Sequence, residues 1–254
     1  MNVSAISARS ALGKAVRWPL RLIPPSAVVP VLQGPLRGAR WIVGSSNHGC
    51  WLGTYEHDKQ RAFARLLRPG DVLYDVGAHV GFYTLLGART VGPKGRVVAF
   101  EPFPRNLAFL RRHLRLNRVA NATVVAAAVG DAAGTAAFSE GPGADRPTTA
   151  VAASSMGRLD PGGPHAVPVV RLDEVVDRGD VPAPTALKID VEGGEVGVLA
   201  GAERLLERRH PTIFLATHGQ ALHRECCERL DAAGYELAPI GGRSLEDSDE
   251  LLAT

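Results

Sequence analysis

The chain is 254 residues long, 45% hydrophobic and 22% charged, with a formal net charge of +3 at pH 7. Those proportions fit a globular α/β protein, a class that reaches about 250 residues as one domain, and they exclude a disordered or fibrous chain. The arginines are spread along helical stretches, the densest group from Arg105 to Arg118 reading as one solvated helix face, so no nucleic-acid partner is expected.

Residues 1–45 are rich in Pro, Gly and Arg and lack sustained periodicity. They read as an N-terminal extension with one short helix near its start, ahead of a domain over residues 46–254. Arg9, Lys14, Arg17 and Arg21 interrupt every apolar run before the ~18 residues that a membrane span requires, so neither a spanning helix nor a signal peptide is expected. Trp18 and Leu20 offer at most a peripheral membrane contact. Cys50, Cys226 and Cys227 show no zinc-site spacing, and their odd count fits a reduced cytoplasmic setting.

Residues 57–67 predict a helix with Ala62, Phe63, Leu66 and Leu67 on one face, stopped by Pro69 and Gly70. A strand over 72–76, a helix over 82–90, a strand over 96–101, a helix over 105–117 and a strand over 122–129 follow. That is the βαβ rhythm of a mostly parallel sheet with helices on both faces. Residues 130–168 are dominated by Gly, Pro, Ser, Thr and Ala and read as short strands and loops, an insert of the kind that serves as a substrate lid. Alternation resumes with a strand over 185–190, a helix over 195–208, a strand over 212–217 and a helix over 221–233. A last edge strand falls at 235–240.

Ligands of an open parallel sheet collect beyond the carboxyl ends of its strands, where strand order reverses. The first such end is the turn from Asp75 through Val76, Gly77, Ala78, His79 and Val80 to Gly81, whose glycines permit tight backbone geometry before a helix N-terminus. A dinucleotide fingerprint starting at Gly77 also requires glycines where the chain has His79 and Phe82, so a pyrophosphate reading loses support. Glu101 ends the second strand, where an acid accepts ribose hydroxyl hydrogens, and Asp131 follows the third, in reach of an adenine amino group. Together they point to an adenosine-containing cofactor.

The segments WLGTYE (51–56), DVGAHVGFYT (75–84), FEPFPRN (100–106), AVGD (128–131) and LKIDVEGGEVGVLAG (187–201) together resemble the FkbM family of methyltransferases over roughly residues 50–240. The resemblance implies a class I methyltransferase (Rossmann-like) fold and S-adenosyl-L-methionine as donor. It also implies an oxygen acceptor, a hydroxyl or carboxyl on a small molecule or sugar-containing natural product. It places the methionine part of the donor at Asp75, Gly77 and His79, with Ala78 and Gly81 in the same turn. The ribose falls at Glu101, with Pro102 and Asn106 beside it, and the adenine near Asp131. One departure stands out: the family often carries a Glu two residues before the His that follows the fifth strand, and here that position is Ala216, ahead of Thr217 and His218.

A neutral hydroxyl is a poor nucleophile, and His218, at a strand end, is the first candidate for general base. Asp190 and Glu192 have the spacing that points both carboxylates to one side of an extended strand, where they bind acceptor hydroxyls, orient His218 or act as the base. They also invite a divalent cation, but the sequence shows no fuller oxygen-ligand cluster, so no metal site is expected. Lys188 reads as the partner of a neighbouring acid, and Glu195 as an acid favoured at its helix's positive end. Tyr55 and Glu56, ahead of the first strand of the sheet, read as acceptor contacts, although packing is the first reading of the aromatic Trp51 and Tyr55. The Tyr55–Lys59 spacing of a short-chain dehydrogenase precedes the nucleotide turn and is discounted. A non-catalytic nucleoside-binding scaffold and an NAD-dependent oxidoreductase are the competing readings. A small-molecule acceptor is the expected partner, and a homo-oligomer is left open.

Overall fold

The computed structural model describes residues 19–140, 157–241 and 244–254. Its strands are β1 (Val28–Pro30), β2 (Arg40–Ile42), β3 (Val72–Val76), β4 (Arg96–Phe100), β5 (Ala122–Val125), β6 (Ala128–Val129), β7 (Gly134–Glu140), β8 (Gly157–Leu159), β9 (His165–Val170), β10 (Ala186–Ile189), β11 (Thr212–Ala216), β12 (Leu237–Pro239) and β13 (Glu250–Ala253). Its α-helices are α1 (His48–Leu52), α2 (His57–Leu66), α3 (Phe82–Val91), α4 (Pro104–Leu116), α5 (Leu172–Asp177), α6 (Glu195–Ala200), α7 (Glu203–Arg209) and α8 (Gln220–Ala232).

The main sheet runs β12-β13-β11-β10-β3-β4-β5, parallel from β11 to β5, with β13 antiparallel to β11. Strands β3, β4, β10 and β11 read as near-continuous apolar runs because helices cover both faces. On one face Phe63, Leu86, Val97 and Phe214 pack with the N-terminal Trp41, and on the other Tyr74, Phe100, Leu187, Ile213 and Leu230. The chain winds outward from β3 to β5 and then returns to β10 on the other side of β3. The switch point therefore lies between β3 and β10, where Lys188 sits opposite Asp75 and Ile189 opposite Val76.

Several sequence boundaries move. The strand expected over 122–129 divides: β5 stays in the main sheet, while β6 pairs with β9 in a second sheet of order β6-β9-β7-β8. The helix expected over 195–208 breaks into α6 and α7 at Gly201, where a Cβ would collide with the Gly130 carbonyl. Helix α5 and strand β13 were not expected; β13 is four residues following a polar run and shows no period of its own. Residue 45 is no structural boundary, since Val31, Trp41, Ile42 and Val43 are buried in the core. Trp41 stacks on His113 at 4.0 Å. His113 accepts the Ile42 amide at Nε2 (3.1 Å) and faces the Val80 carbonyl through Nδ1 (2.8 Å), the pattern of a neutral imidazole, in keeping with burial pushing its pKa down to about 4. The helix expected near the chain start and the centre of the predicted lid, residues 141–156, lie outside the described residues. Among the described residues no helix is long and apolar enough to cross a membrane.

Helix α2 is bolted to the sheet by Phe63, which is wholly buried with its ring 4.9 Å from Phe214 and 5.2 Å from Tyr83. Phe63→Ala is expected to cost about 3–5 kcal/mol of stability in urea denaturation; a loss below about 1 kcal/mol would show that the helix is not anchored there.

Candidate active site

The turn after β3 is fixed by contacts to its own backbone. Gly77 adopts φ 76° and has no room for a side chain, since a Cβ would strike the Asp190 carbonyl oxygen. The amides of Gly77 and Ala78 both donate to the Phe100 carbonyl (3.1 and 2.9 Å), and Gly81, at φ 93°, closes the turn onto Ala78 (2.8 Å). His79, at φ 52°, donates its amide to Glu101 Oε2 (2.8 Å). Glu101 Oε1 accepts the Phe103 amide (2.9 Å) and Asn106 Nδ2 (3.2 Å), with Pro102 as the half-buried link between the two loops. Glu101 is thus a clasp joining two strand-end loops. Three of its roughly four lone-pair positions are taken, which leaves it one for a ligand hydroxyl. Burial lifts its carboxyl to about 7 despite these donors.

Asp75 lies beneath this turn, wholly buried. Thr84 Oγ1 donates to it at 2.6 Å and Lys188 Nζ stands 3.3 Å away, also donating to the Gly77 carbonyl at 2.9 Å. Asp75 therefore shapes the loop from below. The imidazole of His79 keeps a buried Nε2 without a hydrogen-bond partner, and burial lowers its pKa to about 4, so it is neutral. Asp131 is exposed after β6, its amide 3.9 Å from where a Cβ on Gly197 of α6 would sit.

On the other side of the switch point, Asp190 and Glu192 follow β10 and His218 follows β11. The structure brings the three together: His218 Nε2 is 3.3 Å from Glu192 Oε2 and 3.8 Å from Asp190 Oδ1. Its Nδ1 is 2.7 Å from Oε1 of Glu195, a side chain with no solvent exposure. The hydrogen bond to Glu195, with the charges of Glu192 and Asp190, outweighs desolvation and raises the His218 pKa to about 9. Glu195, at the start of α6, is thus the buried carboxylate bonded to His218.

The second oxygen of Asp190 lies between two buried ammonium groups, Lys59 (3.6 Å) and Lys188 (3.7 Å). Burial alone would raise its pKa, but these lysines hold it below the usual range. Lys59 also donates to Glu250 Oε1 (2.7 Å) and lies 3.4 Å from Glu56 Oε2, which accepts the Tyr83 hydroxyl (2.8 Å). Burial pushes Glu250 up to about 7. Tyr55 packs its ring on Phe82 at 5.3 Å, and Trp51 is buried. Sequence reasoning passed over Lys59, Tyr83, Glu195 and Glu250 as parts of the site. Lys59 carried a signal, since it stands three and four residues before Ala62 and Phe63 on the apolar face of α2; Glu250 carried none.

A family whose sequence model is described as the Methyltransferase FkbM domain matches residues 75–237. The chain is 35% identical over 161 residues to the 31-O-demethyl-FK506 methyltransferase FkbM of Streptomyces tacrolimicus, covering 54% of this chain and 61% of that protein. It is 29% identical over 154 residues to the hexuronic acid methyltransferase AglP of Haloferax volcanii, covering 60% and 58%. The alignments thus span about three-fifths of the length of these curated relatives. The crystal structure of methyltransferase FkbM from Methylobacillus flagellatus KT superposes with a TM-score of 0.50 at 21% identity, over 74% of this chain and 45% of that one, a likeness of fold.

The His218 environment sets a test. Because its folded pKa is raised, its contribution to stability is full below its ordinary value of 6.5 and is lost as pH rises through about 9. An NMR titration should place the imidazole near 9 and Glu195→Gln should bring it down toward 6.5; an unchanged midpoint would remove Glu195 as the cause.

Proposed function

Because this chain belongs to the FkbM family of methyltransferases, with their class I fold and S-adenosylmethionine as donor, we propose that it methylates a hydroxyl oxygen on a small or sugar-containing acceptor. The observation that carries the acceptor side of this reading is the convergence of Asp190, Glu192 and His218 beside the Gly77 turn. The name of one relative supports oxygen chemistry, at the 31-O position of FK506, and that of the other, a hexuronic acid methyltransferase, supports a sugar-derived acceptor.

The residues present suit the donor. Gly77 keeps the turn clear of side chains, Glu101 retains a lone pair for a ribose hydroxyl, and His79 offers a neutral ring. When bound, S-adenosylmethionine supplies an electrophilic methyl group on a sulfonium sulfur. The chain's own task is to align the acceptor for in-line displacement, exclude water and take up the acceptor proton. Asp190, held anionic by the two lysines, accepts a hydrogen bond from the acceptor. His218, protonated at neutral pH, orients the neighbouring carboxylates, and the proton passes to Glu192, whose affinity for it burial raises. The partnership of Glu195 with His218 favours catalysis over a scaffold, because it fixes the imidazole with its other nitrogen facing Asp190 and Glu192.

His218→Ala, which removes the group that orients the two carboxylates, is expected to lower turnover by up to about 10²-fold while leaving donor affinity, measured by calorimetry, within about twofold. Unchanged turnover would remove His218 from the chemistry. Product masses should show methylation of hydroxylated acceptors; methylation confined to amines would overturn the oxygen assignment, and binding of NAD without S-adenosylmethionine would overturn the donor. Donor affinity should also fall roughly tenfold from pH 8 to pH 6, because Glu101, with its pKa of about 7, must shed a proton to accept the ribose hydroxyl. Glu101→Gln should bind the donor more weakly and flatten that dependence.

A further inference from the structure

We infer that Asp190, Glu192 and His218 form a binding site for one divalent cation beside the acceptor position. One ligand atom from each residue lies within 4.8 Å of the other two. The separations from His218 Nε2, 3.3 Å to Glu192 and 3.8 Å to Asp190, are close to those between two ligands of one ion at bond lengths of about 2.0–2.2 Å. The donor set of one imidazole and two carboxylates suits an ion of the Mn²⁺ class. All three side chains are partly exposed, so coordination positions remain open toward the cleft.

A second observation points the same way. Glu195 is wholly buried, bonded through Oε1 to His218 Nδ1 and to the Gly193 amide, while its Oε2 has no hydrogen-bond partner. A carboxylate on the far nitrogen of a histidine fixes the ring so that the near nitrogen faces a metal. Here the near nitrogen faces Asp190 and Glu192. Charge adds to this: three carboxylates converge on one imidazole, while Lys59 and Lys188 are engaged on the other oxygen of Asp190, leaving Oδ1 for the cation. Binding exchanges the Nε2 proton for the ion, and the proton leaves to solvent. A cation at this point would draw the acceptor hydroxyl into its open position and lower its pKa, and with Glu192 and His218 engaged as ligands the proton would leave to solvent water rather than to Glu192. That catalytic role rests on the methyl-transfer reading; the binding does not.

The test uses the full chain, stripped with a chelator and titrated with Mn²⁺ alone, with free Mn²⁺ read by electron paramagnetic resonance. One Mn²⁺ per chain is expected, weakened at least about tenfold in Glu192→Gln and His218→Ala and about 10–100-fold in Glu195→Gln, in variants whose circular dichroism matches the parent. Glu203→Gln, a substitution on the exposed surface, should leave it unchanged. No saturable binding below about 1 mM, or equal binding in Glu192→Gln and the parent, would overturn the site. Calorimetry with S-adenosylmethionine runs in parallel. Mn²⁺ binding without donor binding would uphold the cation site and sink the methyl-transfer reading alone; donor binding without Mn²⁺ binding would do the reverse.

Discussion

The pairing of Lys188 with Asp75 at the switch point is the contact on which both halves of the site depend. Neighbouring strands place the two side chains opposite each other, and neither reaches water. The ammonium group also holds the Gly77 carbonyl and stands near Asp190, so a single buried charge ties the turn after β3 to the carboxylate after β10. Two charges in the interior are maintained only while they satisfy one another, since deleting one partner of such a pair typically costs about 3–5 kcal/mol. The arrangement is rigid for the same reason: any shift that opens the turn strands a buried charge.

Around this pair the fold recruits residues from well outside the span that matches the family. Glu56 and Lys59 come from the start of α2 and Glu250 from β13, and all three meet at Asp190 or its lysine neighbours. Helix α2 gets there because Phe63 packs between Tyr83 and Phe214, and β13 because it inserts antiparallel beside β11. Helix α2 and strand β13, far apart in the chain, are thus joined at Lys59, which bonds to Glu250. The two ammonium groups lie 5.4 and 5.6 Å from the Tyr83 ring centroid, each in cation–π range, and both pair with the same oxygen of Asp190.

The sequence showed the parallel core clearly, because β3, β4, β10 and β11 combine apolar runs with glycine-rich returns, and its strand-end acids stood out by position alone. What it hid has specific causes. Glu195 looked like a helix-start acid, and only the path of β11 brings His218 to it. Trp41 lies in a stretch without periodicity because β2 is three residues long and its burial comes from His113, 72 positions away in the numbering of the chain. The pairing of His218 with Glu192 and Asp190 depends on the parallel register of β10 with β11, a long-range fact that no local window contains. Local signals name the chemistry at each strand end; the register of the sheet decides which of those ends meet.

The two carboxylates of the Asp190-Val191-Glu192 run illustrate how far that register reaches. They are separated by one residue, yet the fold shifts them in opposite directions, Asp190 below the carboxylate range and Glu192 above it. Asp190 ends a strand whose neighbours bring Lys188 and Lys59 to its second oxygen. Glu192 leaves the strand in a left-handed conformation, φ 56°, and pairs with His218, while burial outweighs the lowering effect of His218 and the weaker one of Lys188. A site that moves a proton works best when neighbouring groups differ in their hold on it, and here the difference comes from surroundings rather than residue type. The left-handed turn at Glu192 is a conformation that ordinarily costs on the order of 1–3 kcal/mol in a residue with a side chain, and the pairing with His218 is made from that strained position.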